Sequence, residues 1–446
     1  LSTFSDHLNN ITSGKTVCIL GFGREGKATY RRLVQYCSPA EIAIADLNPV
    51  DAKANGLPES VRLITGKDYQ SCLDDFDIVF KSPGIVLDKH PSQLRCTVTS
   101  ETQEFFTVYR EQIIGITGTK GKSTVTSLIF HILRESGIDV HIAGNIGIPV
   151  FEIVDDMKPD SVVVCELSCH QLEYMSVSPA KAVFLNLYEE HLDHYGSLEN
   201  YYKAKKNIYL HQQSGDELII NYDIKPDNIA PDIKTVSAEH TDADIYVNGG
   251  TVRTAGSEYP IPTDKIKLLG VHNHYNIAVA YEVCRRYVSE EQFTKALCSF
   301  SPLAHRLEFV GIHRNIRWYD DSISTACATA IEATKSVPNA AVILIGGMDR
   351  GIDYTSLVEY LCDSDIKVIC MEASGKRVYD MLTAANCDNS RIHYVPHLAD
   401  AVELAAEITP PGKSCVMSPA AASYGIFRNF EERGDAFKAL VRALDT

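Results

Sequence analysis

The sequence predicts an α/β protein of mostly parallel sheets, divided into three domains. Three observations predict it. The chain has 446 residues, a length suited to about three domains. Short apolar runs alternate with longer helical stretches along it, the pattern of repeated strand–helix–strand units. Two glycine-rich turns each follow an apolar run and precede a helical one, as at the ligand-binding edge of a parallel sheet.

The runs that read as buried strands fall at 16–20, 41–45, 77–81, 113–116, 161–166, 182–186, 217–221, 341–345, 366–371 and 414–418. They group into a block 1–108, opening with the glycine turn after Leu20. A second block, 109–300, opens with the turn after Ile116. A third, 301–446, begins near Ser301-Pro302 and ends in a helix over 435–444. Hydrophobic residues make up 45% and charged residues 22%, the balance of globular cores. The net charge of -16 argues against a nucleic-acid partner, yet a local site can still be basic enough for an anionic substrate. The 13 cysteines lack metal-ligand spacing and read as reduced thiols. No run approaches the ~18 apolar residues of a membrane span. Residues 1–15, opening on Leu1 rather than methionine, are polar and lack a signal-peptide core. The expected location is cytoplasmic, with no membrane partner.

The first turn is Gly21-Phe22-Gly23-Arg24-Glu25-Gly26, and Asp46 ends the next strand. This is the dinucleotide-binding fingerprint: glycines admit a pyrophosphate to a helix N-terminus, and an acidic residue can hold a ribose hydroxyl. By itself it leaves open NAD(P), another nucleotide diphosphate, or a structural turn. The second turn is Gly118-Thr119-Lys120-Gly121-Lys122-Ser123-Thr124. Its Gly-Lys-Ser end is that of a P-loop, with backbone amides around phosphates, Lys122 reaching the terminal ones and the Ser123 hydroxyl on Mg²⁺. The spacing is shorter than usual, since Ile116 stands where the common pattern has glycine.

Further along come Glu166-Leu167-Ser168-Cys169-His170-Gln171, Asn186-Leu187-Tyr188-Glu189-Glu190-His191, and the lysine-rich 201–209. Glu166 at a strand's C-terminal end suits a metal beside a P-loop. His191 and His194 can be read as part of a zinc site, but no further ligand lies nearby in sequence.

The shortened loop, with a separate dinucleotide-like block before it, resembles the Mur ligase family. The resemblance spans nearly the whole chain. It implies a Rossmann-like UDP-binding domain, a central P-loop ATPase domain and a Rossmann-like C-terminal domain. It also implies ATP and Mg²⁺, and a monomer that joins glutamate, in the D form, to UDP-N-acetylmuramoyl-L-alanine through an acyl phosphate. It assigns Gly23, Arg24, Glu25, Asp46, Ser82, Pro83, Gly84, Asn145, Ser168 and Gln171 to the UDP substrate. To ATP it assigns Gly118 through Thr124, Asn273, Asn276, Arg306 and Asp321. Thr325, Arg350, Ser418 and Phe427 are assigned to the amino acid. The metal falls to Ser123, Glu166, His191 and a carbamylated Lys205; Lys122, Glu166, His191 and Lys205 form the catalytic set. The chain departs from the family pattern at His170 (usually Phe), Glu190 (Asp), Ile323 and Ala326 (Lys and Asn), and Arg350 (Lys). The Asp-Asn-Pro-Arg motif of the diamino-acid-adding members is absent, which favours glutamate. A sister ligase for L-glutamate or another amino acid, an NAD-dependent dehydrogenase and a non-catalytic nucleotide-binding regulator are the other readings.

Overall fold

The computed structural model describes residues 3–190 and 192–445. Its strands form three sheets of five, nine and six strands, and the chain packs into two compact units. The first unit comprises residues 1–261 and 275–297, and the second 262–274 and 298–446.

The first unit holds two sheets. The five-stranded sheet runs Arg62–Thr65, Glu41–Asp46, Thr16–Leu20, Ile78–Lys81, Thr97–Thr99, all parallel. Strand order reverses beside Thr16–Leu20, so a crevice opens where Gly21 and Ser82 leave the sheet. The nine-stranded sheet places Ile113–Thr117 between Val162–Glu166 and Lys181–Phe184, parallel to both. A short antiparallel meander, Ile245–Asn248, Thr251–Thr254 and Ser257–Pro260, finishes one edge. The two sheets share one apolar core, in which Phe4, Phe105 and Phe151 meet at 5.0–6.4 Å between rings.

The second unit is a six-stranded sheet in the order Glu308–His313, Ile316–Asp320, Ser414–Met417, Ala340–Ile345, Lys367–Met371, Ile392–Val395. Only the first pair is antiparallel. The C-terminal helix is Phe430–Ala443, starting five residues before the expected 435. Asn429 accounts for the earlier start, because its side chain accepts from Glu432 N and caps that turn.

All ten runs read as strands are strands, and among the described residues ten more accompany them. Cys362 and Cys387 lie side by side, their Cα atoms 5.0 Å apart and within disulfide reach, while the other eleven cysteines are free. The pair joins the helix Thr355–Asp363 to the turn after the helix Glu372–Ala384, a proximity that their sequence separation hides. Among the described residues no helix is long and apolar enough to cross a membrane.

Candidate active site

The P-loop leaves the strand Ile113–Thr117 and enters the helix Lys122–Glu135, which buries Val125, Leu128, Ile129, Ile132 and Leu133 on its inner side. Two glycines make the turn possible. Gly118 has φ +153°, and Gly121, capping the helix, has φ +84°; a Cβ at Gly121 would lie 2.9 Å from Asn276 Oδ1. The loop is also held from outside. Asn186 Oδ1 accepts from Thr119 N at 3.1 Å and Lys120 N at 2.8 Å, while its Nδ2 donates to Lys120 O at 3.0 Å. Asn186 was quoted in a motif but given no role by the sequence reading.

Two lysines converge on the loop's carbonyls. Lys122 Nζ donates to Gly118 O and Thr119 O, each at 2.9 Å. Lys205 Nζ donates to Gly118 O at 2.8 Å and lies 4.8 Å from the centre of the Tyr201 ring. Lys205 is fully buried, on the inner face of the helix Leu198–Lys206. Burial, then the charge of Lys122, pulls its amine down to about 7. Its neighbour Lys203 is exposed.

Glu166, 1% exposed, ends the adjacent strand. Its Oε1 accepts from Asn145 Nδ2 at 2.6 Å, and its Oε2 is buried without a partner. A buried carboxylate oxygen with no donor is costly, and a hard divalent cation satisfies it. The donor set near the P-loop therefore fits Mg²⁺. His191 lies outside the described residues.

The first glycine turn is built differently. A Cβ at Gly26 would collide with the Gly21 carbonyl, so only glycine lets this helix approach the strand. Asp46 Oδ2 accepts from Phe22 N at 2.8 Å and its Oδ1 from Asn48 N at 2.8 Å. Ser82 donates to Gly21 O at 2.8 Å. Both side chains thus brace the turn's own backbone. Arg24 donates to Gly147 O at 2.6 Å. Glu25 Oε1 accepts from Gln171 at 2.9 Å, and its other oxygen is buried and unpaired. Burial pushes the Glu25 carboxyl up to about 7, and also raises that of Glu101. Ser168 and Gln171 cap the short helix Cys169–Leu172 reciprocally. A cleft of about 160 Å³ opens nearby, lined by Lys81, Pro83, Ser100, His170, Gln171 and Tyr174 among others. Lys81, buried and donating to Ser82 O and Pro83 O, was missed by the sequence reading. Its only advance signal was its place just before Ser82-Pro83-Gly84.

In the second unit the C-terminal ends of the strands carry the remaining residues. Asp321 accepts from Ser418 Oγ at 2.7 Å and from Leu307 N at 3.2 Å. Burial raises its carboxyl to about 6. Arg306 Nε is buried and unpaired. Asn273, at the start of the helix His272–Cys284, donates to Leu269 O. Of the four residues expected at the amino acid, Thr325 and Arg350 are exposed, Ser418 is fully buried against Asp321, and Phe427 packs on the core. No hydrogen bond joins any two of these four. The structure adds Arg433, fully buried, which donates to Ser322 O at 2.8 Å and Ala421 O at 3.0 Å.

Residues 116–284 match the Mur ligase middle domain. The chain is 31% identical over 398 residues to the UDP-N-acetylmuramoylalanine–D-glutamate ligase of Clostridium botulinum, covering 86% of each chain. It is 30% identical over 456 residues to the enzyme of that name from Symbiobacterium thermophilum, covering 96% of this chain and 97% of the other. Among solved structures it is similar to the UDP-N-acetylmuramate–alanine ligase MurC of Thermotoga maritima, with a TM-score of 0.61 and 17% identity over 96% of this chain and 99% of that one. The MurF ligase of Thermotoga maritima in complex with ADP gives 0.58 and 16%, over 98% and 99%. At these identities the structural likeness speaks for the fold alone. With that fold, a P-loop fed by two lysines and a carboxylate beside it, and relatives of this identity over most of its length, the chain belongs to the Mur ligase family, the ATP-dependent, ADP-forming amide ligases.

Proposed function

We propose that this chain joins D-glutamate to UDP-N-acetylmuramoyl-L-alanine in peptidoglycan precursor synthesis. The observation that carries the reading is the P-loop cluster: Lys122 and Lys205 on the loop's carbonyls and Glu166 with an unpaired buried oxygen beside them. The names of the relatives supply the substrates.

The substrate's alanyl carboxylate attacks the terminal phosphorus of ATP, forming an acyl phosphate and ADP. The glutamate amine then attacks the acyl carbon, and phosphate leaves. Lys122 turns from the loop carbonyls to the terminal phosphate and neutralises its growing charge. Loop amides from Gly118 to Thr124 cradle the other phosphates, with Asn276 behind Gly121. Glu166, Ser123, His191 and Lys205 as a carbamate would hold Mg²⁺, which when bound screens the phosphate oxygens. An amine held near 7 is substantially neutral at cytosolic pH, the form that reacts with CO₂. Asn145 orients Glu166.

The UDP substrate is assigned to the crevice at the first glycine turn. Gly23, Arg24 and Glu25 open the helix there, Ser82, Pro83 and Gly84 face them, and Ser168 and Gln171 line the muramoyl side. Asp46 acts there through the turn's backbone. Asn273, Arg306 and Asp321 are assigned to ATP, and Thr325, Arg350, Ser418 and Phe427 to glutamate. We read domain limits of 1–108, 109–300 and 301–446, a cytoplasmic location, a monomer, and no nucleic-acid or membrane partner. Purified protein given ATP, Mg²⁺ and UDP-N-acetylmuramoyl-L-alanine should consume D-glutamate. Equal or faster use of L-glutamate would reject the stereochemistry, and use only of a diamino acid would reject glutamate.

A further inference from the structure

The sequence alone offered His194 no third metal ligand, but the fold supplies two. His170 and Glu173 sit three residues apart on the helix Cys169–Leu172 and its C-terminal cap, so they share a face. His194, from the helix Leu192–Tyr195, meets them there. Its Nε2 lies 3.4 Å from Glu173 Oε1, and its ring centre is 4.5 Å from that of His170, at 76°. One ligand atom from each of the three lies within 4.8 Å of the others. All three are half-buried: sheltered from bulk water but reachable by an ion. Tyr195 Oη stands 3.4 Å from His170 Nδ1, the kind of outer contact that fixes an imidazole ligand's tautomer and orientation.

We propose that His170, Glu173 and His194 bind a divalent transition-metal ion of the zinc class. Two imidazoles and one carboxylate are the donor set that such ions favour and that Mg²⁺ does not. Three protein ligands leave a fourth position for water, and His170 also lines the cleft. The ion would tie the helix after Glu166 to the segment after Asn186, the two chain stretches that flank the P-loop. The charge of Lys81 acts on Glu173 and competes with the ion for it. A His194–Glu173 hydrogen bond alone does not bring in the His170 imidazole, whose ring also packs against that of His194. The proposal uses none of the nucleotide-site assignments and stands or falls separately from them.

The test is titration of the EDTA-stripped full chain, in Mg²⁺-free buffer with a non-thiol reductant, with Co²⁺ and then Zn²⁺. One equivalent of Co²⁺ should produce visible d–d absorption without a thiolate charge-transfer band, and Zn²⁺ should abolish it. His170→Phe and His194→Ala should each weaken binding at least about tenfold, while Glu166→Gln leaves it unchanged. Zn²⁺ should raise the melting temperature of the wild type but not of His170→Phe. Equal melting temperatures of wild type and variants without metal would show that the variants are folded. No saturable Co²⁺ signal, a signal retained in both histidine variants, or one lost in Glu166→Gln would each overturn the proposal.

Discussion

The two glycine turns of the first unit are built from the same parts and differ in how their side chains are used. Both leave a central parallel strand and enter a helix through glycines that a side chain would obstruct. At the first turn Asp46 is spent on the backbone amides of Phe22 and Asn48 and Ser82 on the Gly21 carbonyl, while Glu25 keeps one buried oxygen without a partner. At the second, the loop is braced by Asn186, while two lysines and Glu166 stay short of ideal partners. A turn braced in this way offers a ligand its backbone and helix end, which suits holding a diphosphate. A loop whose charges lack good partners gains most when phosphates and a cation arrive, which suits chemistry.

The largest effects should therefore fall at the second turn. Lys122→Ala and Glu166→Gln should each lower kcat by about 10²–10³-fold or more, with little change in melting temperature; normal turnover in either would remove the contrast between the turns. Lys205→Ala should come next, nearly inactive and partly restored by acetate, with Lys203→Ala mild. Mass spectrometry of the native protein under bicarbonate should find the added carboxyl on Lys205, and a fully active Lys205→Ala enzyme would reject that role.

Asn186→Ala should act through the loop's shape. It takes the side-chain partner from Lys120 N and Lys120 O, while Thr119 N keeps the Asn186 main-chain carbonyl at 3.0 Å, a loss of about 1 kcal/mol per hydrogen bond, so ATP KM should rise while binding of the UDP substrate stays close to wild type. Asp46→Asn sharpens the other side of the contrast. Its amide oxygen can still accept from one backbone amide, so calorimetry should find substrate affinity reduced only a few-fold, about 1 kcal/mol or less. A loss of several orders of magnitude would mean that Asp46 holds the ligand directly.

The smallest effect is one of pH. The Glu25 carboxyl, at about 7 against an ordinary 4.5, keeps its proton longer when folded. Its contribution is fully present below about 4.5 and is lost as pH rises through about 7. Glu25→Gln should therefore gain melting temperature relative to wild type between about pH 5 and pH 8, by about 2 °C. A gain in the opposite direction would place the charged form in a stabilising contact.

What could be read in the sequence follows from where each residue sits. The central strands are continuous apolar runs because both faces are covered, and all ten were legible. Arg62–Thr65 is mostly exposed, and Glu308–His313 is half-exposed at a sheet edge, so neither carries that signal. The P-loop was legible because its glycines, lysine and serine are consecutive. The brace from Asn186, the cradle of Lys81 and the grip of Arg433 were not, since each acts on backbone far away in sequence. Lys205 was singled out by resemblance alone; the fold adds that it is buried on the carbonyl of Gly118. His170 stood out only as a departure from pattern, and the helix that carries His194 back to it accounts for what sequence spacing concealed.

The central claim is that the P-loop cluster activates a carboxylate by phosphorylating it. UDP-N-acetylmuramoyl-L-alanine labelled with ¹⁸O in its alanyl carboxylate, turned over with ATP and D-glutamate, tests this directly. The account predicts one ¹⁸O in each inorganic phosphate released, with ADP as the nucleotide product. Label appearing in AMP, or phosphate released without label while the amide forms, would contradict it.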